Sequence, residues 1–299
     1  MATVTAESVY LRSLRRVWFE MKLSFQFNAN DGLEYMFPMT VCTLGAWLNI
    51  NEPDRPLLLL LFVNTALAWL ALYSHTLSNQ SSGMAEDLIN KPYRPIPRGL
   101  VTVRGANVRF VAVSFLFLSL SLLWGVLWAA ISALGWVVLH NYLGWHRNWF
   151  GRQVFNVAVT FTSYAMAWRL AGPVGEVGWR WISVLAAAQT VIFLQDLRDV
   201  DGDAETQRRT VPLVIGDWPT RILGAGMLLG LAVFASWMLP IDRFMADLGP
   251  WWAAGYGVGC ALIAAHFLVY RGPSDDDRAY RAYQLFGHGW PILGLFLMS

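Results

Sequence analysis

Residues 56–99 read PLLLLLFVNTALAWLALYSHTLSNQSSGMAEDLINKPYRPIPRG, an uncharged apolar run that gives way to amides, two adjacent acids and a proline-rich basic loop. The run over 56–78 is long enough to cross the hydrocarbon of a bilayer as one helix, which takes roughly 17–25 residues. Beyond it stands chemistry at a membrane surface. At about 100° per residue, Asn79, Gly83 and Asp87 stay on one helical face. Lys91, Arg94 and Arg98 follow, separated by Pro92, Pro95 and Pro97, whose fixed φ holds the cations in place.

Working outward, similar apolar segments occur at 33–50, 107–123, 124–141, 152–171, 179–195, 219–239, 250–270 and 279–298, which with 56–78 predicts nine transmembrane helices. Loop charge tests that count, because Lys and Arg gather on the cytoplasmic side. With a cytoplasmic N-terminus, all but Arg55, Arg169, Arg180 and Arg243 of the 22 basic residues fall inside, and the C-terminus falls on the opposite side. Composition agrees: 56% hydrophobic and 14% charged residues, with a mean hydropathy of +0.42, expose more apolar surface than a 299-residue soluble core buries. A net charge of +2 argues against a nucleic-acid partner, and nothing points to a protein partner. Cys42 and Cys260 stand alone in apolar runs and read as buried free thiols. At 7–27, Tyr10, Leu14, Val17, Trp18, Met21 and Phe25 recur at helical spacing among basic residues, which predicts an interfacial helix ahead of a single membrane domain spanning 1–299. Gly226, Gly230, Gly255 and Gly259, four residues apart in pairs, are expected at close helix contacts.

A second acidic group, Asp196-Leu197-Arg198-Asp199-Val200-Asp201-Gly202-Asp203, closes the sixth span on the same side as the first. A helix continued that far would place Asp196, Asp199 and Asp203 on one face and turn Asp201 away. Like charges on one face repel unless a cation sits among them. Hard oxygen ligands suit Mg²⁺, which keeps several waters and shares itself with phosphates. Asn79, Glu86, Asp87, Asp196, Asp199 and Asp203 are therefore the candidate metal ligands, with Asn79, Asp87, Asp199 and Asp203 the catalytic core of that set. Lys91, Arg94, Arg98, Arg147 and Arg209, with Asn148 and Arg208 as further candidates, form a receptor for a phosphate-rich anion beside it.

At these residues the sequence resembles the UbiA superfamily of intramembrane prenyltransferases over nearly its whole length. The runs Asn90 to Gly99, Asp199-Val200-Asp201-Gly202-Asp203, and Arg209-Thr210-Val211-Pro212 carry the likeness. The resemblance implies an all-α fold around a central cavity, and Mg²⁺ bridging two acidic motifs to a prenyl diphosphate. The family's first motif lands on Asn79, Gln80, Gly83 and Asp87, so two acidic positions are missing and Glu86 is an added acid. The second motif lands intact on Asp199 and Asp203, and Lys91, Arg94 and Arg147 match diphosphate-contacting positions. The altered first motif looks like the branch that contains membrane-bound class I terpene cyclases, in which a C15 or C20 prenyl cation folds back on its own double bonds. The alternative is a prenyltransferase that passes the cation to an aromatic or other acceptor.

A cyclase needs a water-poor chamber whose aromatic faces stabilise migrating charge. Trp69, Tyr73, Trp136, Phe161, Tyr164, Trp168 and Phe193 lie in spans next to the two motifs and are the candidates for its wall. Intramembrane polar residues away from the motifs are few, namely Asn64, His75, Asn141, Asn156 and His266, too few to single out an acceptor. A transporter of lipid phosphates would be expected to carry inverted repeats or broken mid-membrane helices, and the sequence displays neither.

Overall fold

A computed structural model of the chain describes residues 6–29, 31–50, 55–205 and 208–298. Among them the fold is all helical, with one isolated parallel bridge between Asn148 and Arg209. The helices are α1 (Ala6–Asn28), α2 (Gly32–Leu48), α3 (Leu57–Ser82), α4 (Met84–Asn90), α5 (Val103–Leu123), α6 (Leu127–Asn141), α7 (Trp149–Ala171), α8 (Glu176–Ala188), α9 (Val200–Glu205), α10 (Val211–Ile215), α11 (Asp217–Met238), α12 (Gly249–Val269), α13 (Pro273–Tyr283) and α14 (Gly289–Leu297). Gln189–Leu197 prolongs α8 as a 3-10 helix, and a π-helical turn, Gln284–His288, joins α13 to α14.

A helix lies over each of the apolar segments, and five are long and apolar enough to cross a bilayer: α3, α5, α8 with its 3-10 extension, α11 and α12. The rest fall short for visible reasons. α2 and α6 have 17 and 15 residues, Arg152, Gln153, Asn156 and Arg169 dilute α7, and the π turn divides the last segment. Local signals set several ends: Thr102 and Asn148 cap α5 and α7 by accepting from the backbone N–H of Gly105 and Gly151. Gly125 supplies the left-handed φ of +71° that turns α5 back into α6, forming the tight hairpin expected there.

α3 packs on α2, α5 and α6; α7 on α2, α6 and α8; α11 on α8 and α12; and α14 returns to α2 and α8. Close approach is glycine-dependent at α12, where a methyl on Gly255 would stand 2.7 Å from Trp290 and one on Gly259 would overlap Phe286. Gly226 and Gly230 face open space instead, and on α11 it is Gly224 that seats against Leu194 of the 3-10 segment. Adding a methyl there would overpack the contact by about 1–3 kcal/mol.

α1 buries Leu23 and Phe27 against Tyr73, Leu77, Ile96, Val101 and Ala106, and its Glu20 accepts a hydrogen bond from Arg109 Nε of α5 at 2.7 Å. Leu14, Val17, Trp18, Met21 and Phe25 are exposed along it. The side chain of Tyr10 lies outside the described residues. Cys42 and Cys260 are buried free thiols.

Candidate active site

The first motif is built at a break. α3 keeps its helical bonding through Ser82, carrying Asn79 in its last turn, and Gly83 separates it from α4, whose first turn presents Glu86 and Asp87. Asn79 Nδ2 donates to Asn141 Oδ1 at 3.4 Å, and Asn141 Nδ2 donates to Ser78 Oγ at 2.7 Å. Gln80 turns the other way, donating to Phe27 O at 3.4 Å. The proline loop then folds Arg94 back onto α4. Its Nη1 donates to both Asp87 oxygens, at 2.8 and 2.9 Å, with the two side chains only 11% and 5% exposed.

The second motif departs from the continuous helix the spacing predicts. From Gln189 the turn tightens to three residues, so Thr190, Phe193 and Asp196 line up along one edge, as side chains three apart do in a 3-10 helix. The helix ends at Leu197 and restarts as α9. Asp196 and Asp203 are buried, whereas Asp199 is exposed beside Arg198, 3.4 Å away. The expectation that Asp196, Asp199 and Asp203 share one face is thus corrected by the break. Asp196 faces Arg152 Nη2 at 3.4 Å. Arg208 Nη1 lies 3.2 Å from Glu86 and 3.4 Å from Asp203, tying the two motifs together. Arg98, Arg147 and Arg209 are exposed and enter none of these ion pairs, although the Asn148–Arg209 bridge holds the last two on adjoining loops.

Among the described residues no three acidic, histidine or cysteine side chains converge into a metal cage. The donor set nevertheless fits Mg²⁺, which takes one or two carboxylates and completes its octahedron with waters and phosphate oxygens. Here the acids of two motifs come within reach of a single guanidinium, Arg208. Burial raises the Asp203 carboxyl, Asp199 and Glu86 add to this, and Arg208 and Arg152 oppose it. Burial and then Arg94 lower the Lys91 ammonium, against the pull of Asp87 and Glu86. A dense group of cations and acids, half withdrawn from water, has the chemistry to hold an anion together with a counter-cation.

A groove of about 730 Å³ lies between α6, α7, the 3-10 segment, α10 and α11. Trp136, Trp149, Phe150, Phe161 and Phe193 supply its aromatic wall, and Val211, Val214 and Ile215 of α10 cover it. Beside it, Arg152, Gln153, Asn156, Gln195 and Asp196 line a polar recess that shares Trp149, Gln153 and Phe193 with the groove. Of the predicted wall residues, Trp136, Phe161 and Phe193 are in place. Trp69, Tyr73, Tyr164 and Trp168 are not part of this wall. Trp69 packs on Phe25 of α1, Tyr73 joins the α1 contact, and Tyr164 and Trp168 are buried in the main core. Asn141 and Asn156 lie at the motifs rather than away from them: Asn141, at the end of α6, donates to Ser78 beside Asn79, and Asn156 of α7 lines the polar recess. Gln153 and Thr190 are not among the sequence candidates. For Gln153 a polar stripe at 152, 153 and 156 inside an apolar span is the signal; Thr190 has no such mark.

Residues 36–290 match the family model described as the UbiA prenyltransferase family. The chain is 35% identical to a Somaliensene A/B synthase of Streptomyces somaliensis, over 94% of this chain and 93% of that protein. It is 31% identical to the diterpene cyclase eriG of Hericium erinaceus, over 88% and 84%, and 32% identical to the polyprenyl transferase eriF of the same fungus, over 70% and 73%. Among solved structures, a UbiA homolog from Archaeoglobus fulgidus bound to GPP and Mg²⁺ superposes with a TM-score of 0.68 at 12% identity, covering 93% of this chain and 99% of that one.

Proposed function

The chain belongs to the UbiA prenyltransferase family, and from that membership we propose that it is an Mg²⁺-dependent terpene cyclase of nine transmembrane helices. On this reading its N-terminus and site face the cytoplasm, its C-terminus lies on the other side, and it turns a linear C15 or C20 prenyl diphosphate into a cyclic product and diphosphate. The observation that supports it most directly is an aromatic, mostly apolar groove that adjoins, through Trp149, Gln153 and Phe193, the recess lined by Arg152 and Asp196, and whose size is in the range of small-molecule sites, roughly 300–1,000 Å³. Two relatives that match 94% and 88% of the chain carry synthase and cyclase names, in keeping with it.

Bound between the motifs, Mg²⁺ supplies positive charge that stabilises a departing diphosphate. Asn79, Glu86, Asp87, Asp196, Asp199 and Asp203 would hold it. Lys91, Arg94, Arg152 and Arg208 grip the diphosphate, with Arg98, Arg147 and Arg209 closing from the loops. Because these cations already stand among carboxylates, little reorganisation remains for the moment of ionisation. The groove keeps water from the cation while Trp136, Trp149, Phe150, Phe161 and Phe193 offer it aromatic faces.

The competing reading is prenyl transfer, favoured by the likeness to eriF and by Gln153, whose buried Oε1 at the groove is free to orient an acceptor. Purified protein given Mg²⁺ and a C15 or C20 prenyl diphosphate, with no acceptor, separates the two. A cyclic hydrocarbon or alcohol together with diphosphate, both stopped by EDTA, is the expected result. Diphosphate released only when an aromatic acceptor is added establishes transfer instead.

A further inference from the structure

The groove is lined by apolar and aromatic side chains except for Gln153, which it shares with the recess, and three hydroxyls: Ser132 of α6, Thr162 of α7 and Thr190 of the 3-10 segment. Their depth can be counted along each element. Arg152 and Asp196 face each other at 3.4 Å and mark the polar end. Thr162 lies ten residues from Arg152 on α7, about 15 Å at 1.5 Å per residue. Thr190 lies six residues from Asp196 along the 3-10 segment, about 12 Å at 2.0 Å per residue. On α6, Ser132 is nine residues, or about 14 Å, from Asn141, which bonds to Asn79 and Ser78. All three hydroxyls therefore stand at the hydrocarbon end, well away from the ion pairs.

The proton of each hydroxyl is already committed to the protein. Thr162 Oγ1 donates to Ala158 O and Thr190 Oγ1 to Ala187 O, both at 2.7 Å. A hydroxyl has one proton to give, so in the 3.3 Å contact between Ser132 and Thr162 it is Ser132 that donates. What the three oxygens have left for the groove is lone pairs. Among the described residues no carboxylate lines the groove, so these oxygens are the negative pole of its inner end, fixed in direction before any ligand arrives. Resting on the cyclase reading for its role, we propose that Ser132, Thr162 and Thr190 form a site for positive charge at the hydrocarbon end of the groove. In that reaction the C1–O bond breaks and its electron pair leaves with the diphosphate. The π pair of a distal double bond becomes the new bond to C1, and the other carbon of that double bond is left positive. The lone pairs hold the charge there, against the pull of the diphosphate, and so select which ring closure follows.

The probes are two C15 prenyl diphosphate analogues, linked through sulfur so that neither ionises, and alike except at the far end. One closes in a dimethylammonium group and the other in an isopropyl group of the same shape. Their dissociation constants are measured in detergent with Mg²⁺, and the ratio of the two isolates the charge. Thr162→Val and Thr190→Val keep the outline of the side chain and remove the oxygen. Each is expected to lower the affinity for the ammonium relative to the isopropyl probe about tenfold, the low end for a hydrogen bond to a charged group. Thr162→Ser and Thr190→Ser, which keep the oxygen, should restore the ratio. Ser132→Ala gives the same reading where a valine variant fails to fold. In the acceptor-free assay the valine variants should consume substrate at close to the wild-type rate and redistribute the cyclic products. An unchanged ratio in the folded variants overturns the proposal, as does an equal loss of affinity for both probes, which marks packing alone. If wild type releases diphosphate only with an acceptor, the cyclase reading falls, while the probe ratio, read without turnover, still decides the charge site.

Discussion

Breaking the Asp87–Arg94 pair tests whether the first motif is a scaffold or a binding device. Arg94→Gln leaves the Asp87 carboxylate, 4% exposed, without the guanidinium nitrogen that bonds both its oxygens. A buried pair broken on one side costs about 3–5 kcal/mol. At about 2 °C per kcal/mol that is a melting midpoint roughly 6–10 °C lower. The double variant Arg94→Met, Asp87→Leu removes both charges and replaces them with apolar groups of similar bulk, which is often neutral, so the midpoint should return to within a few degrees of wild type. Turnover should not return with it, because a charge-assisted hydrogen bond to diphosphate is worth about 1.5–3 kcal/mol, or roughly 10- to 150-fold in KM. Thermal unfolding in detergent and diphosphate release, run on the single and double variants, give the two readouts. Recovery of both stability and turnover in the double variant would refute a binding role and leave the pair as scaffold.

Arg208→Gln removes the tie between Glu86 and Asp203. That guanidinium is 35% exposed, so stability should change by less than about 1 kcal/mol, while the Mg²⁺ concentration for half-maximal rate rises severalfold; an unchanged Mg²⁺ titration counts against it. The lowered Lys91 ammonium loses its charge at a lower pH than an ordinary lysine, so KM for the diphosphate should climb as pH rises through that value. Lys91→Arg, charged throughout, should flatten the climb, and an identical alkaline limb in both proteins would remove Lys91 from the site. Phe193→Leu and Phe161→Leu should redistribute products, whereas Trp168→Phe should lower the melting midpoint and leave the product pattern alone; the reverse pattern would move the reaction chamber to the core side of α7.

How far spacing reaches can be followed along single helices. The apolar runs, the two motifs and the stiff basic loop are local properties, and they are where the sequence places them. Direction around a helix is also legible: on α3, Trp69 and Tyr73 stand about 80° and 120° away from Asn79 at 100° per residue, so their place against α1 follows from counting, and grouping them with the chamber overlooked it. Depth is a different quantity. On α7, Val157, Phe161, Tyr164 and Trp168 fall within one narrow stripe, yet the first two line the groove and the last two are core. The groove closes near Phe161, which stacks on Trp179 of α8 at 5.7 Å, and the stripe continues past the floor. The 3-10 turn at Gln189 is equally non-local. Gln189 meets His288 from the far end of the chain, and Leu194 is held by Gly224. Neither contact has a signature within the sixth span, and both lie on the 3-10 segment that carries Asp196. A periodic stripe therefore states which residues share a direction. Which of them reach the chamber is decided by the helix that closes it.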